Sequence, residues 1–236
     1  MCIIVVKKKN LKMPKKEILA TCFTNNPDGA GFMYRFPHNN LIKIQKGFME
    51  FEDFYKALQE KKLNRHDEVI LHFRIATSGT TCPVCTHPFP ISSDIESLKA
   101  TECITSQAVA HNGIIQKYGT KKLSDTMEFI REVLANDIVM NNLRDKTVKE
   151  LVSRSINGSR LAIMDSKGII LLGTGWVDKR GIMYSNETFE SRGFIYSHKY
   201  DSALWDDEEY QTKPEIDVES YEGYEGLNYN LKRSYF

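Results

Sequence analysis

Cys2-Ile3-Ile4-Val5-Val6, directly behind Met1, is the stretch from which the rest of the chain is read. The apolar run from Ile3 to Val6, rich in β-branched residues, reads as a buried strand. Such a strand holds rigid a terminus that in most chains frays. Cys is small enough for Met1 to be trimmed, which would leave Cys2 at the N-terminus. An N-terminal Cys carries a thiol of pKa about 8.5 and an α-amine of about 8 on one residue. The amine can then take and return the thiol's proton, so no separate histidine is needed. Taken alone, a Cys in second position also has a plain reading with no chemistry attached.

The chain has 236 residues and a formal net charge of +1, with 41% hydrophobic and 27% charged residues. This is the composition of a globular protein. The near-zero charge gives no electrostatic case for direct binding to nucleic acid or an anionic membrane. Lysines crowd the segment from Lys7 to Lys16, read as a solvated loop, and acidic residues crowd the tail from Asp201 onward. No apolar stretch reaches the roughly 20 residues of a membrane span, and lysines follow rather than precede the short apolar run, unlike a secretory signal. The five cysteines are Cys2, Cys22, Cys82, Cys85 and Cys103. Their odd number and the missing signal point to a reducing cytoplasm rather than a disulfide framework.

Strand patterns occur at Phe32–Phe36, Leu41–Gln45, Glu68–Arg74, Gln107–His111, Arg160–Asp165, Gly168–Leu172, Gly181–Ser185 and Phe194–Ser197. The first two read as a hairpin, as do Arg160–Asp165 and Gly168–Leu172. Helical spacing appears at Glu17–Cys22, Glu50–Lys61, from Met127 to Leu134, and at Thr147–Ser153. Small residues Gly29-Ala30-Gly31 at the head of a strand permit close backbone approach by another segment. The mixture predicts an α+β fold. Residues 1–200 form the expected domain, and 201–236 an acidic, Tyr-rich tail.

Several polar residues stand at predicted strand and helix ends. Arg74 reads as a carboxylate ligand or as a structural ion-pair partner. Asn112-Gly113 reads as a pair of oxyanion donors or as a type I′ turn. Asp125 reads as an ammonium ligand or as a helix cap. Together they supply what a Cys nucleophile attacking an amide requires.

The order of these pieces resembles the class II glutamine amidotransferases, the N-terminal-nucleophile glutaminase domains, and especially the stand-alone members. The resemblance is carried by Cys2, by Asp28-Gly29-Ala30-Gly31, and by His72-Phe73-Arg74-Ile75-Ala76-Thr77-Ser78-Gly79. Thr86-His87-Pro88-Phe89, His111-Asn112-Gly113 and Ser124-Asp125-Thr126 extend it. It covers Cys2 to about Met127 by motif and continues to about Tyr200 by strand pattern alone. The chain departs from the family at Ile3, where Gly is usual, and at Ser78, often His in synthase-linked enzymes. The interval from Asn112 to Asp125 is also short.

The resemblance implies a four-layer αββα sandwich of two antiparallel sheets between helices. It implies that Cys2 attacks the side-chain carbonyl of glutamine and that Asn112 and Gly113 stabilise the oxyanion. Arg74 would take the substrate α-carboxylate, with Thr77 lining the same pocket, and Asp125 the α-ammonium. Neither cofactor nor metal is required. Ammonia would pass to a separate synthetase partner, docked by the tail or the lysine loop. Two other functions stay open: hydrolysis of other γ-glutamyl amides, and a catalytically inactive binding protein on the same fold. Cys82-Pro83-Val84-Cys85 with nearby His87 reads as ordinary loop cysteines, half of a zinc site, or a redox-sensitive pair. His72 and His111 read as structural.

Overall fold

A computed structural model of the chain describes residues 1–36, 38–76, 81–120 and 122–190. The expected strand at Phe194–Ser197, the boundary at residue 200 and the acidic tail lie outside the described residues. The fold is α+β with two antiparallel sheets. Strand β1, Ile3–Lys7, is buried along its whole length. It lies between β4, Val69–Phe73, and β11, Ile182–Tyr184. The hairpin of β2, Ala30–Arg35, and β3, Ile42–Phe48, extends the sheet beyond β4. Strands β6, Glu102–Thr105, and β10, Val177–Lys179, form its two edges. This seven-stranded sheet runs β10-β11-β1-β4-β2-β3-β6. A four-stranded sheet runs β5-β7-β8-β9. Its strands are β5, Phe89–Pro90, β7, Ala108–Asn112, β8, Arg160–Asp165, and β9, Gly168–Leu172.

Side chains alternate across a strand, and the pattern decides what each face meets. Ile4 and Val6 join Met33, Ile44 and Ile70 of their own sheet in a buried cluster with Ala108, Ala110, Ala162 and Met164 of the other. Val109, Leu161 and Ile163 point the opposite way. They pack with residues of α3, Ile95–Lys99, α4, Asp125–Phe129, its π-helical continuation Ile130–Leu134, and α6, Lys146–Ser155. Partly buried residues of the short α5, Asp137–Asn142, complete that cluster. On the outer face of the large sheet, Phe32 and Phe73 meet α1, Lys16–Asn25, and α2, Phe51–Glu60. Phe54 of α2 is fully buried, with ring centroids 5.0 Å from Phe73 and 6.0 Å from Phe32. Each such aromatic pair adds about 0.5–1.5 kcal/mol beyond area burial. No helix among the described residues is long and apolar enough to cross a membrane.

Two expectations are corrected, and two strands appear that the sequence pattern did not mark. Lys7 does not open a solvated loop; it ends β1 and is 1% exposed. Its Nζ donates to the carbonyls of Asn64 at 2.6 Å, Arg65 at 3.0 Å and Asp67 at 2.6 Å. Burial pulls its ammonium down to about 8, against the pull of Asp67 and Glu68. The cysteines are not all free: Cys82 and Cys85 form a disulfide across a 3₁₀ turn, Pro83–Cys85. The edge strands β6 and β10 carry no hydrophobic alternation in their sequences. They exist through pairing, β6 by the register Ile44↔Cys103 and β10 by Asp178↔Met183.

Candidate active site

The register of the large sheet brings several strand ends to one edge. Ile3 and Ala30 both pair with Phe73, so Cys2 before β1, Gly29 before β2 and Arg74 after β4 are neighbours. The Cys2 thiol donates to the Ile75 carbonyl at 3.5 Å, and its sulfur accepts from the Ile75 N–H at 3.4 Å. The Cys2 carbonyl accepts from Asn186 Nδ2 at 2.7 Å. Burial pushes the Cys2 thiol up, while the Ile75 N–H, the Arg74 charge and the chain's amino group pull it back. A thiol so placed needs a base to become a nucleophile.

The turn at Asp28-Gly29 fixes the chain on both sides of Arg74. Arg74 N–H donates to the Gly29 carbonyl at 2.8 Å and the Arg74 carbonyl accepts from Asp28 N–H at 2.9 Å. The Asp28 carboxylate accepts from Ala76 N–H at 2.7 Å. The close approach expected of the small residues is present: a Cβ on Gly31 would strike the His87 carbonyl oxygen. Arg74 Nη1 is buried with no hydrogen-bond partner among the described residues. A guanidinium nitrogen in that state is costly unless a ligand meets it, and its planar fork fits a carboxylate. No salt bridge of Arg74 supports the ion-pair reading among the described residues.

Asn112 ends β7, and its Nδ2 donates to Ser185 Oγ at 2.8 Å while Oδ1 is buried with no partner among the described residues. Ser185 Oγ also accepts from the Ile4 N–H at 2.8 Å, which ties Asn112 to the strand that carries Cys2. The type I′ reading fails, because that turn needs positive φ at both central residues and only Gly113, at +137°, has it. A Cβ on Gly113 would also run into Ser159. Asp125 is not the helix cap. Ser124 is, accepting from Met127 N–H at 3.2 Å, and Asp125 begins α4. The Asp125 carboxylate accepts from Ile115 N–H at 2.8 Å and Thr126 N–H at 2.7 Å. Hydrogen bonds thus bring Cys2 and Asn112 to one edge through Ser185, and the sheet register places Arg74 there. Asp125 is tied to the loop after Gly113 and not directly to Cys2. Thr77, like Ser78, lies outside the described residues.

A buried trio of histidines stands behind this edge. The rings of His72 and His87 lie 4.3 Å apart and those of His87 and His111 6.1 Å. His111 Nδ1 and His87 Nε2 meet the Thr126 hydroxyl at 2.8 and 3.3 Å, and His72 Nε2 meets the His111 carbonyl at 3.0 Å. Burial pulls His72 down to about 3 and His87 well below its usual range. It pulls His111 to about 4, against Asp125. Rings whose pKa is pulled this low stay neutral and are weak bases near neutral pH. The zinc reading of Cys82 and Cys85 is also corrected. Their sulfurs are bonded to each other, His87 turns to Thr126, and no set of three or more His, Cys, Asp or Glu among the described residues could hold a metal ion. Sequence reasoning missed Ser185, Asn186 and Thr126 as site neighbours. Only the pairing of β1 with β11 and the packing of α4 bring them here.

No protein-family model matches this chain, and no curated protein matches it.

Proposed function

We propose that the protein hydrolyses the side-chain amide of glutamine, with Cys2 as an N-terminal nucleophile, on a four-layer αββα sandwich of the N-terminal-nucleophile type. The packing supports the layering, with one cluster between the sheets and helices against each outer face. The observation that carries the chemistry is a half-buried Cys thiol at the same sheet edge as Arg74, whose buried Nη1 has no hydrogen-bond partner among the described residues.

With Met1 removed, the Cys2 amine takes the thiol proton and sulfur attacks the side-chain carbonyl carbon. Asn112 and the Gly113 N–H stabilise the oxyanion, a task in which one donor is worth about 3–4 kcal/mol. The C–N bond breaks and the proton returns to the departing ammonia. Water then cleaves the thioester to glutamate and restores the thiol. Arg74 holds the α-carboxylate, and Asp125 takes the α-ammonium. Ammonia passes to a separate acceptor enzyme.

The test uses protein confirmed by intact mass to begin at Cys2, with Cys2→Ala as control. Glutamate release and a covalent adduct from the Cys2 protein alone are the expected result. No turnover and no adduct from processed protein would overturn the reading.

A further inference from the structure

The hydrogen bonds around Ser185 do not balance as drawn. Ser185 is fully buried, and its hydroxyl oxygen accepts from two N–H groups, Ile4 N and Asn112 Nδ2, each at 2.8 Å. A serine hydroxyl has one proton to donate, and among the described residues this one meets no acceptor. Asn112 Oδ1, meanwhile, is buried with no partner among the described residues. An asparagine amide has the same shape with its oxygen and nitrogen exchanged, and the choice follows from the hydrogen bonds it makes. Turning the amide by a half-rotation lets the Ser185 O–H donate to Asn112 Oδ1, while Ser185 still accepts from Ile4 N–H. One unpaired group then replaces two. The group left over is the Asn112 NH₂, a pair of donors occupying the position that Oδ1 now holds.

We infer that Ser185 is a positioning residue: its hydroxyl orients the Asn112 amide so that Nδ2 stays free to donate to the oxyanion of the tetrahedral intermediate. This rests on the glutaminase reading above. The adjacent residue serves the nucleophile, because Asn186 Nδ2 holds the Cys2 carbonyl at 2.7 Å. Asn186 is itself fixed through Oδ1, which accepts from Thr188 N–H at 3.0 Å and Thr188 Oγ1 at 2.7 Å. Asn26 Nδ2 donates to the same Thr188 hydroxyl at 3.2 Å, and Asn25 Nδ2 to the Thr188 carbonyl at 2.8 Å. Ser185-Asn186 therefore sets the oxyanion donor and the nucleophile from one dipeptide, anchored to the end of α1. The main chain explains why this dipeptide is where it is. Ser185 N–H donates to the Ile4 carbonyl at 3.0 Å, one step past the last β1–β11 pair, and its side chain supplies the acceptor that the ending ladder no longer offers to Ile4 N–H.

The experiment has two arms on full-length protein processed to Cys2. In the first, NMR of the parent protein locates the Asn112 side-chain NH₂ protons. Their lying away from the Ile4 amide proton, with a slowly exchanging Ser185 hydroxyl proton, is expected; a strong contact between the Asn112 NH₂ and the Ile4 amide proton overturns the inference. In the second, glutamine kinetics compare Ser185→Ala and Ser185→Thr with the parent. Ser185→Ala should lower kcat about 100-fold, the order of one lost oxyanion donor, with KM within about threefold. Ser185→Thr, which keeps the hydroxyl, should recover most of the loss. A Ser185→Ala kcat near that of the parent, or a loss confined to KM, overturns the inference. Should the parent not hydrolyse glutamine at all, the glutaminase reading falls while the first arm still decides how Ser185 holds Asn112.

Discussion

Strand β1 ends in the buried Lys7 and is preceded by the half-buried Cys2, and the polar groups around the two ends are treated in opposite ways. At the Lys7 end, three N–H donors meet three backbone carbonyls, and the ammonium has no donor to spare. At the Cys2 end the groups are in surplus. Arg74 Nη1, Asn112 Oδ1, His72 Nδ1 and His111 Nε2 are all buried with no partner among the described residues. Buried polar groups are ordinarily paired, since leaving one unpaired costs about 1–3 kcal/mol. The Lys7 end is thus saturated by the chain itself, and the unpaired groups near Cys2 are those that the proposed glutamine site would use.

The sharpest way to break this comparison is at the thiol. Cys2→Ala should abolish glutamate release, a loss of at least about 10³-fold, while thermal unfolding stays close to the parent's. A large fall in melting temperature would make Cys2 structural instead.

The next largest effect is acid sensitivity behind the site. His111 falls from its ordinary 6.5 to about 4 in the folded chain, and His72 and His87 shift the same way. The unfolded chain therefore binds more protons between those values, and stability is lost as pH falls from about 6.5 toward 4. For His111 alone the loss is on the order of 3 kcal/mol, read from denaturant unfolding at pH 7 and pH 4.5. Equal stability at the two values would mean that the histidines are not sealed from water.

Arg74→Met should then separate the two ends. It removes a buried guanidinium nitrogen that has no partner among the described residues, so the unliganded protein should be at least as stable as the parent, while kcat/KM for glutamine falls by about 10- to 100-fold, the range of a charged hydrogen bond. Lys7→Met should do the reverse, costing about 1–3 kcal/mol of stability by orphaning carbonyls and leaving kcat/KM within about twofold. Loss of activity by Lys7→Met in folded protein would erase the distinction between the ends.

Much of this was legible from residue order. Ile3–Val6 could be read as a buried strand because a β-branched run has few other homes. Arg160–Asp165 and Gly168–Leu172 were bounded correctly because their apolar pattern is continuous and a short polar turn separates them. Other elements were illegible for physical reasons. Glu102–Thr105 and Val177–Lys179 are edge strands whose side chains bury little, so hydropathy carries no trace of them. Lys7 looked like the first of six basic residues in a row of loops because a side chain's partners sit 57 to 60 positions away. The Cys82–Cys85 bond was underweighted because compartment arguments speak of frameworks, and a three-residue separation is a local matter.

The sequence by itself determined the α+β class, the strand that carries Cys2, and a set of residue types suited to amide chemistry. Those follow from local periodicity and from side-chain chemistry, which a chain displays in order. The tertiary structure decided which of them meet. Sheet register put Cys2 beside Arg74 and Ile75, the pairing of β11 with β1 delivered Ser185 and Asn186, and helix α4 turned Asp125 to the loop after Gly113. Contacts between residues 73 to 184 positions apart arise only when strands choose their partners, and that choice is made by the burial of whole faces rather than by any single motif.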